Sequence, residues 1–190
     1  MNIGLFFGSF NPIHIGHLII ANVMVETTDI DKVWFIVSPQ NPFKKRNTLL
    51  HEFDRMDMVR AAINDNYHLE ASDVEFNMPK PSYTVDTLAY LIDRHPDKNF
   101  KLIIGEDNLT HFHKWKNYDQ VLSHGLYVYP RPHATKTDFH SHEMIKFIES
   151  PMVDISATFI RQCIKNDQSI KYLVPKEVEE LILSKGFYRN

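Results

Sequence analysis

At 190 residues, with 43% hydrophobic and 24% charged side chains, the chain has an ordinary globular composition and can bury a core without staples. A net charge of −3 argues against broad nucleic-acid binding, and no apolar run is long enough to span a bilayer. The lone Cys163 excludes an internal disulfide and reads as a helix residue in a reducing compartment, and Met1 to Gly4 lacks the basic stretch of a signal peptide; the expected location is the cytoplasm.

In chain order, Asn2–Phe7 reads as a buried strand and His17–Thr27 as a helix. Val33–Val37 is the next strand, and Leu49–Ile63 carries Phe53, Met56, Val59, Ala62 and Ile63 at helical spacing. Leu69–Phe76 is a strand and Tyr83–Ile92 a helix with Val85, Leu88, Ala89 and Ile92 on one face. Phe100–Ile104 and Leu126–Tyr129 are strands. Met152–Ile155 is a short strand leading into a helix from Ser156 to about Ile164, and Glu177–Ser184 is a last helix stopped by Gly186. This alternation predicts an α/β, Rossmann-like, doubly wound and mostly parallel sheet with helices on both faces, in one domain over 1–190 with a small helical part from about 156. Ligands of such sheets bind at the carboxyl ends of the strands. The clusters Gly8–His17, Pro39–Arg46, Gly105–Trp115, Pro130–His133 and Ser156–Arg161 all follow strands, so one mouth can hold them all. The loops 39–48 and 131–141 are the longest.

His14 and His17 open a helix after Gly8-Ser9-Phe10-Asn11-Pro12. Zinc fits poorly, because a catalytic site takes three protein ligands and His-Glu-x-x-His is absent. A serine hydrolase fits poorly too, because Ser9 lacks the Gly-x-Ser-x-Gly elbow. A phosphate fits better: a glycine lets the backbone approach, the helix end supplies N–H donors and dipole, and imidazoles donate more, in the charged form that a nearby phosphate favours. Alone, the stretch reads equally well as a turn with two solvated histidines. Ile155-Ser156-Ala157-Thr158-Phe159-Ile160-Arg161 tips the balance, with Ser156 as N-cap and Thr158 and Arg161 in the following turns. Two such junctions suit a polyphosphate.

"GSFNPIHIGH" with "ISATFIR" resembles the nucleotidyltransferase superfamily marked by His-x-Gly-His and Ile-Ser-x-Thr-x-Ile/Val-Arg. "SYTVDTL" at Ser82–Leu88, "IGEDNL" at Ile104–Leu109, "FHKWKNY" at Phe112–Tyr118 and "KYLVP" at Lys171–Pro175 narrow the likeness to the bacterial nicotinate-nucleotide adenylyltransferase family. The chain departs from the family's frequent pattern at Asn11, where Asp is common, at Glu106, where Ala is common, and at Ala157, where Ser is frequent.

The resemblance implies that nicotinate mononucleotide attacks the α-phosphorus of ATP, giving deamido-NAD and pyrophosphate, in NAD biosynthesis. Its phosphate is already ionised, so no general base and no covalent intermediate are expected. It implies His14, His17 and Arg161 as catalytic residues. ATP would be bound by these together with Gly8, Ser9, Phe10, Gly105, Asp107, Ile155, Ser156 and Thr158. The nicotinate nucleotide would meet Asn11, Lys44, Thr84, Asp107 and Trp115. Mg²⁺ is expected on the ATP phosphates, with no dedicated protein cage. The expected partners are the two nucleotides, with no nucleic acid and no membrane; a homo-oligomer is left open. Pantetheine-phosphate adenylyltransferase is the nearest alternative and a non-catalytic nucleotide sensor the more distant one.

Overall fold

The computed structural model of the chain describes residues 1–39, 49–132 and 134–189. Among them six strands, β1 (Asn2–Gly8), β2 (Lys32–Val37), β3 (Leu69–Ser72), β4 (Asn99–Gly105), β5 (Leu126–Tyr129) and β6 (Ile145–Phe147), form one sheet in the order β3-β2-β1-β4-β5-β6. Every pairing is parallel. The chain builds outward from β1 to β3, then crosses back and builds outward again from β4. The winding therefore reverses between β1 and β4, where the carboxyl ends leave a crevice.

Side-chain alternation sorts the core into two layers. Along β2, Val33, Phe35 and Val37 pack into one cluster, while Trp34 and Ile36 pack into the other. The first cluster is closed by helices α1 (Ile15–Thr27), α2 (Glu52–Ala62), α5 (Ala157–Lys165) and α6 (Lys176–Lys185), the second by α3 (Thr84–Arg94) and α4 (Tyr118–Leu122). Each fully buried Ile, Leu or Val contributes roughly 1.5–3 kcal/mol of transfer free energy, and both faces of the central strands are lined this way. Among the described residues no helix is long and apolar enough to cross a membrane.

Two expected strands are corrected. Met152–Ile155 is not a strand: Pro151 brings no N–H to a ladder, and Met152 is 62% exposed. The sixth strand is the edge strand β6, only three residues long with two of them exposed, which gives it no run to stand out. The strand begun at Leu69 ends at Ser72, and Val74–Asn77 turns as a 3₁₀ helix that buries Glu75, whose carboxylate accepts the Thr87 hydroxyl at 2.8 Å. A second 3₁₀ helix spans Glu106–Lys114. In α2 the expected positions Met56, Val59 and Ala62, with Ile63 just beyond, are buried, but Phe53 is 61% exposed and the buried face also takes Arg55 and Met58.

Arg55 is fully buried, and its guanidinium answers main-chain carbonyls rather than an acid. It donates to Ser9 O at 2.5 Å, Ser38 O at 2.8 Å, Pro39 O at 3.2 Å and Leu50 O at 3.0 Å. Those carbonyls belong to the turn after β1, the end of β2 and the lead into α2, so one side chain ties three loop segments at the crevice. Arg55→Met should leave these carbonyls poorly paired and destabilise the fold by about 3 kcal/mol or more; urea unfolding measures it, and a loss under about 1 kcal/mol would contradict this role.

Candidate active site

The turn after β1 bends sharply: Phe10 takes φ 45, its ring is buried, and it packs edge-on against His17 with centroids 5.1 Å apart. The phenyl group therefore serves the turn. His14 is the N-cap residue of α1, which starts at Ile15, two residues before the expected start, and so places His17 in the first turn. The rings stack, with centroids 3.7 Å apart. His17 Nδ1 accepts the His14 backbone N–H at 3.2 Å, so in the neutral ring Nε2 carries the proton and serves as a donor. The Ile15 N–H is already taken by the Leu173 carbonyl at 3.0 Å.

The second junction is built alike. The Ser156 hydroxyl accepts the Phe159 N–H at 3.2 Å, capping α5. One turn on, Arg161 reaches out of α5: its Nη2 donates to Thr158 Oγ1 at 3.2 Å and its Nη1 to the Asn11 carbonyl at 2.8 Å. The two junctions, 150 positions apart, thus meet through one guanidinium.

The crevice beside them is lined by His14, Gly16, His17, Arg131, Val153 and Ile155, among others. Arg131 follows β5 and was given no role by the sequence reading, although the Pro130-Arg131-Pro132 run after a strand marked its place. Its Nε lies 3.7 Å from Asp107 Oδ1. Gly105 makes that approach possible, because a Cβ there would sit 2.5 Å from Asp107 Oδ1 and 3.1 Å from Arg131 Cγ. Glu106, the extra acid, turns away to His140 Nε2 at 3.0 Å.

Farther along the strand ends, α3 opens at Thr84 after Tyr83, whose side chain does not cap the first turn. Trp115 follows the 3₁₀ turn and packs on Phe112 at 5.2 Å between centroids. Lys116 joins the two segments, donating to both Asp86 carboxylate oxygens at 2.8–2.9 Å and lying over the Tyr83 ring. Thr84 and Trp115 therefore sit on adjoining segments. Gly8 ends β1, and Ser9 and Asn11 lie in the turn that follows; Asn11 is buried, with its side-chain oxygen accepting from Leu50 N–H and the Tyr188 hydroxyl. Lys44 lies outside the described residues, as does His133.

A cytidylyltransferase-like family model matches residues 5–163. A probable nicotinate-nucleotide adenylyltransferase of Cytophaga hutchinsonii is 61% identical over the full length of both chains, and that of Flavobacterium psychrophilum is 51% identical, also over both full lengths. The chain belongs to the nicotinate-nucleotide adenylyltransferase family. Its fold matches the Plasmodium falciparum nicotinic acid mononucleotide adenylyltransferase solved with NaAD, at TM-score 0.83 and 19% identity, covering 98% of this chain and 97% of that one. The same parasite protein solved with APC aligns at TM-score 0.82.

In the free site His14 is held in its neutral form: burial, with the Arg131 guanidinium adding to it, lowers its pKa from 6.5 to about 4. The unfolded chain takes up this proton as pH falls through 6.5, and the native chain only near 4. Stability from this group is full above 6.5 and is lost on acidification, by about 3 kcal/mol across that window. Urea unfolding at pH 7 and pH 4.5 should show wild type losing more stability than His14→Asn; equal losses would contradict the assignment.

Proposed function

We infer that the chain transfers the adenylyl group of ATP to nicotinate mononucleotide, releasing deamido-NAD and pyrophosphate, as the names of its relatives indicate. Residues 1–190 are read as a single nucleotidyltransferase domain, acting on soluble nucleotides in the cytoplasm. The observation that carries the site assignment is the Arg161 guanidinium on the Asn11 carbonyl, which ties two phosphate-suited helix ends to one mouth.

In this reading the triphosphate lies across the two junctions. The Ala157 and Thr158 N–H groups at the start of α5, with Ser156, Thr158 and Arg161, hold the β- and γ-phosphates. His17 donates from Nε2 to the α-phosphate as charge builds on its oxygens, and His14 braces the ring by stacking on it. Gly8, Ser9 and Phe10 contribute backbone. Gly105 lets the ribose approach Asp107, whose carboxylate accepts ribose hydroxyls in place of its loose pairing with Arg131. The backbone at Ile155 meets adenine. The start of α3 at Thr84 receives the nicotinate carboxylate, and Trp115 stacks on the pyridine ring. Lys44 is retained as a candidate phosphate contact from its loop.

Once positioned, the mononucleotide phosphate attacks in line and pyrophosphate leaves toward Arg161. The protein moves no proton; it overcomes the repulsion between two anions with fixed donors. Among the described residues no group of three His, Cys, Asp or Glu side chains could hold a metal ion, and the mouth offers cations and hydroxyls. That donor set fits Mg²⁺ carried by phosphate oxygens and water, where it would supply charge neutralisation.

Pyrophosphate release should be fastest with nicotinate mononucleotide when it, nicotinamide mononucleotide and phosphopantetheine are each offered with ATP. Preference for phosphopantetheine, or ATP binding without turnover, would overturn the reading. His17→Ala should lower kcat about 100-fold or more in a folded protein. Trp115→Ala should raise the KM for nicotinate mononucleotide about tenfold with little change in the KM for ATP; the reverse pattern would misplace the pyridine.

A further inference from the structure

The end of the chain returns to the phosphate turn. Helix α6 stops at Lys185, and Gly186 follows in the left-handed region at φ 64. The Phe187 N–H then closes back on the Ile182 carbonyl at 3.0 Å, a reversal that turns the tail inward. Lys185 holds the helix end against α2, with Nζ 3.1 Å from Asp54 and 3.6 Å from Asp57. Tyr188 comes next at φ 66, a backbone region bulky residues avoid unless the surroundings impose it.

The Tyr188 hydroxyl donates to Asn11 Oδ1 at 2.9 Å, a contact across 177 positions of sequence. The Leu50 N–H donates to the same oxygen at 3.2 Å. The Asn11 main-chain carbonyl receives Arg161, and Thr158 takes the other end of that guanidinium. Hydroxyl, amide, carbonyl and guanidinium form one chain from the tail to the residue assigned to the β- and γ-phosphates. The phenol lies within the influence of Arg55 and Arg161, both of which favour its ionisation, yet burial outweighs them and keeps it a protonated donor.

We propose that Tyr188 is a positioning residue for adenylyl transfer: by holding the Asn11 side chain, it fixes the carbonyl that orients Arg161 toward the triphosphate. The proposal rests on the role given to Arg161 above. It assigns a task to a tail residue remote in sequence from every phosphate motif.

The test is a double-variant cycle on the full chain, with ATP varied at saturating nicotinate mononucleotide and urea unfolding of each protein. Tyr188→Phe should lower kcat/KM for ATP about fivefold and leave the KM for nicotinate mononucleotide within about twofold. In an Arg161→Lys background the same change should have no further effect. Equal losses in both backgrounds would show that the phenol merely braces the fold, and an unchanged kcat/KM would also overturn the proposal. Asn11→Leu removes the acceptor end of the same bond and should lower kcat/KM for ATP at least as far. Adding Tyr188→Phe to it should cost nothing more, and an additive loss would overturn the proposal. This second cycle decides the matter if Tyr188→Phe alone does not fold, because the doubly substituted chain can be compared with Asn11→Leu. A wild-type chain that forms no deamido-NAD would refute the functional reading itself, whereas an active wild type with an unaffected Tyr188→Phe would refute only the role of the tail.

Discussion

The site is organised around one hydrogen bond, from the Arg161 guanidinium to the Asn11 main-chain carbonyl. A helix end alone is a weak anion site, because its dipole acts over a single turn and is screened by water. Two helix ends held at a fixed separation are different: the chelating anion gives up its freedom once and collects donors from both. The carbonyl also keeps the guanidinium from swinging into solvent. A long charged side chain normally forfeits rotamer entropy on binding; here much of that ordering is complete before a nucleotide arrives.

The rest of the molecule can be understood as scaffolding for that contact. The winding reversal between β1 and β4 opens the crevice. Arg55 gathers the turn after β1 and the end of β2, so the phosphate turn hangs from a core helix rather than floating as a surface loop. Desolvating the charge of a buried arginine is expensive. Its four carbonyl partners offset that cost, and each is a main-chain group that would otherwise need water. The C-terminal helix closes the same side, bringing the tail within reach of Asn11.

Much of this was legible in the residues, for identifiable reasons. Strands β1, β2, β4 and β5 are central, so both their faces are apolar and they stand out as uninterrupted runs. Edge strand β6 is only three residues long and exposes two of them, too short to stand out, while the Met152–Ile155 stretch looks like a strand but follows a proline. His14, His17, Ser156, Thr158 and Arg161 were recognisable because helix mouths have local signatures in caps and spacing. Arg131, Arg55 and Tyr188 were not, because each acts through contacts between segments far apart in sequence. Arg55 left a trace, a cation inside an apolar helical stripe, which reads as an error in the stripe until its carbonyl partners are known. The low proton affinity of His14 was likewise out of reach, since it follows from burial, with Arg131 adding to it.

The hydrogen bond from the His14 amide to His17 Nδ1 has a further implication for which reactions this mouth can host. The helix cap spends the ring's lone pair on the backbone, so the imidazole faces the crevice with its N–H end and has no vacancy for an incoming proton. A sugar hydroxyl or an amine would have to shed one on attacking phosphorus, and this ring is not placed to take it. An acceptor that arrives already ionised, as a phosphate does, needs no such help from it.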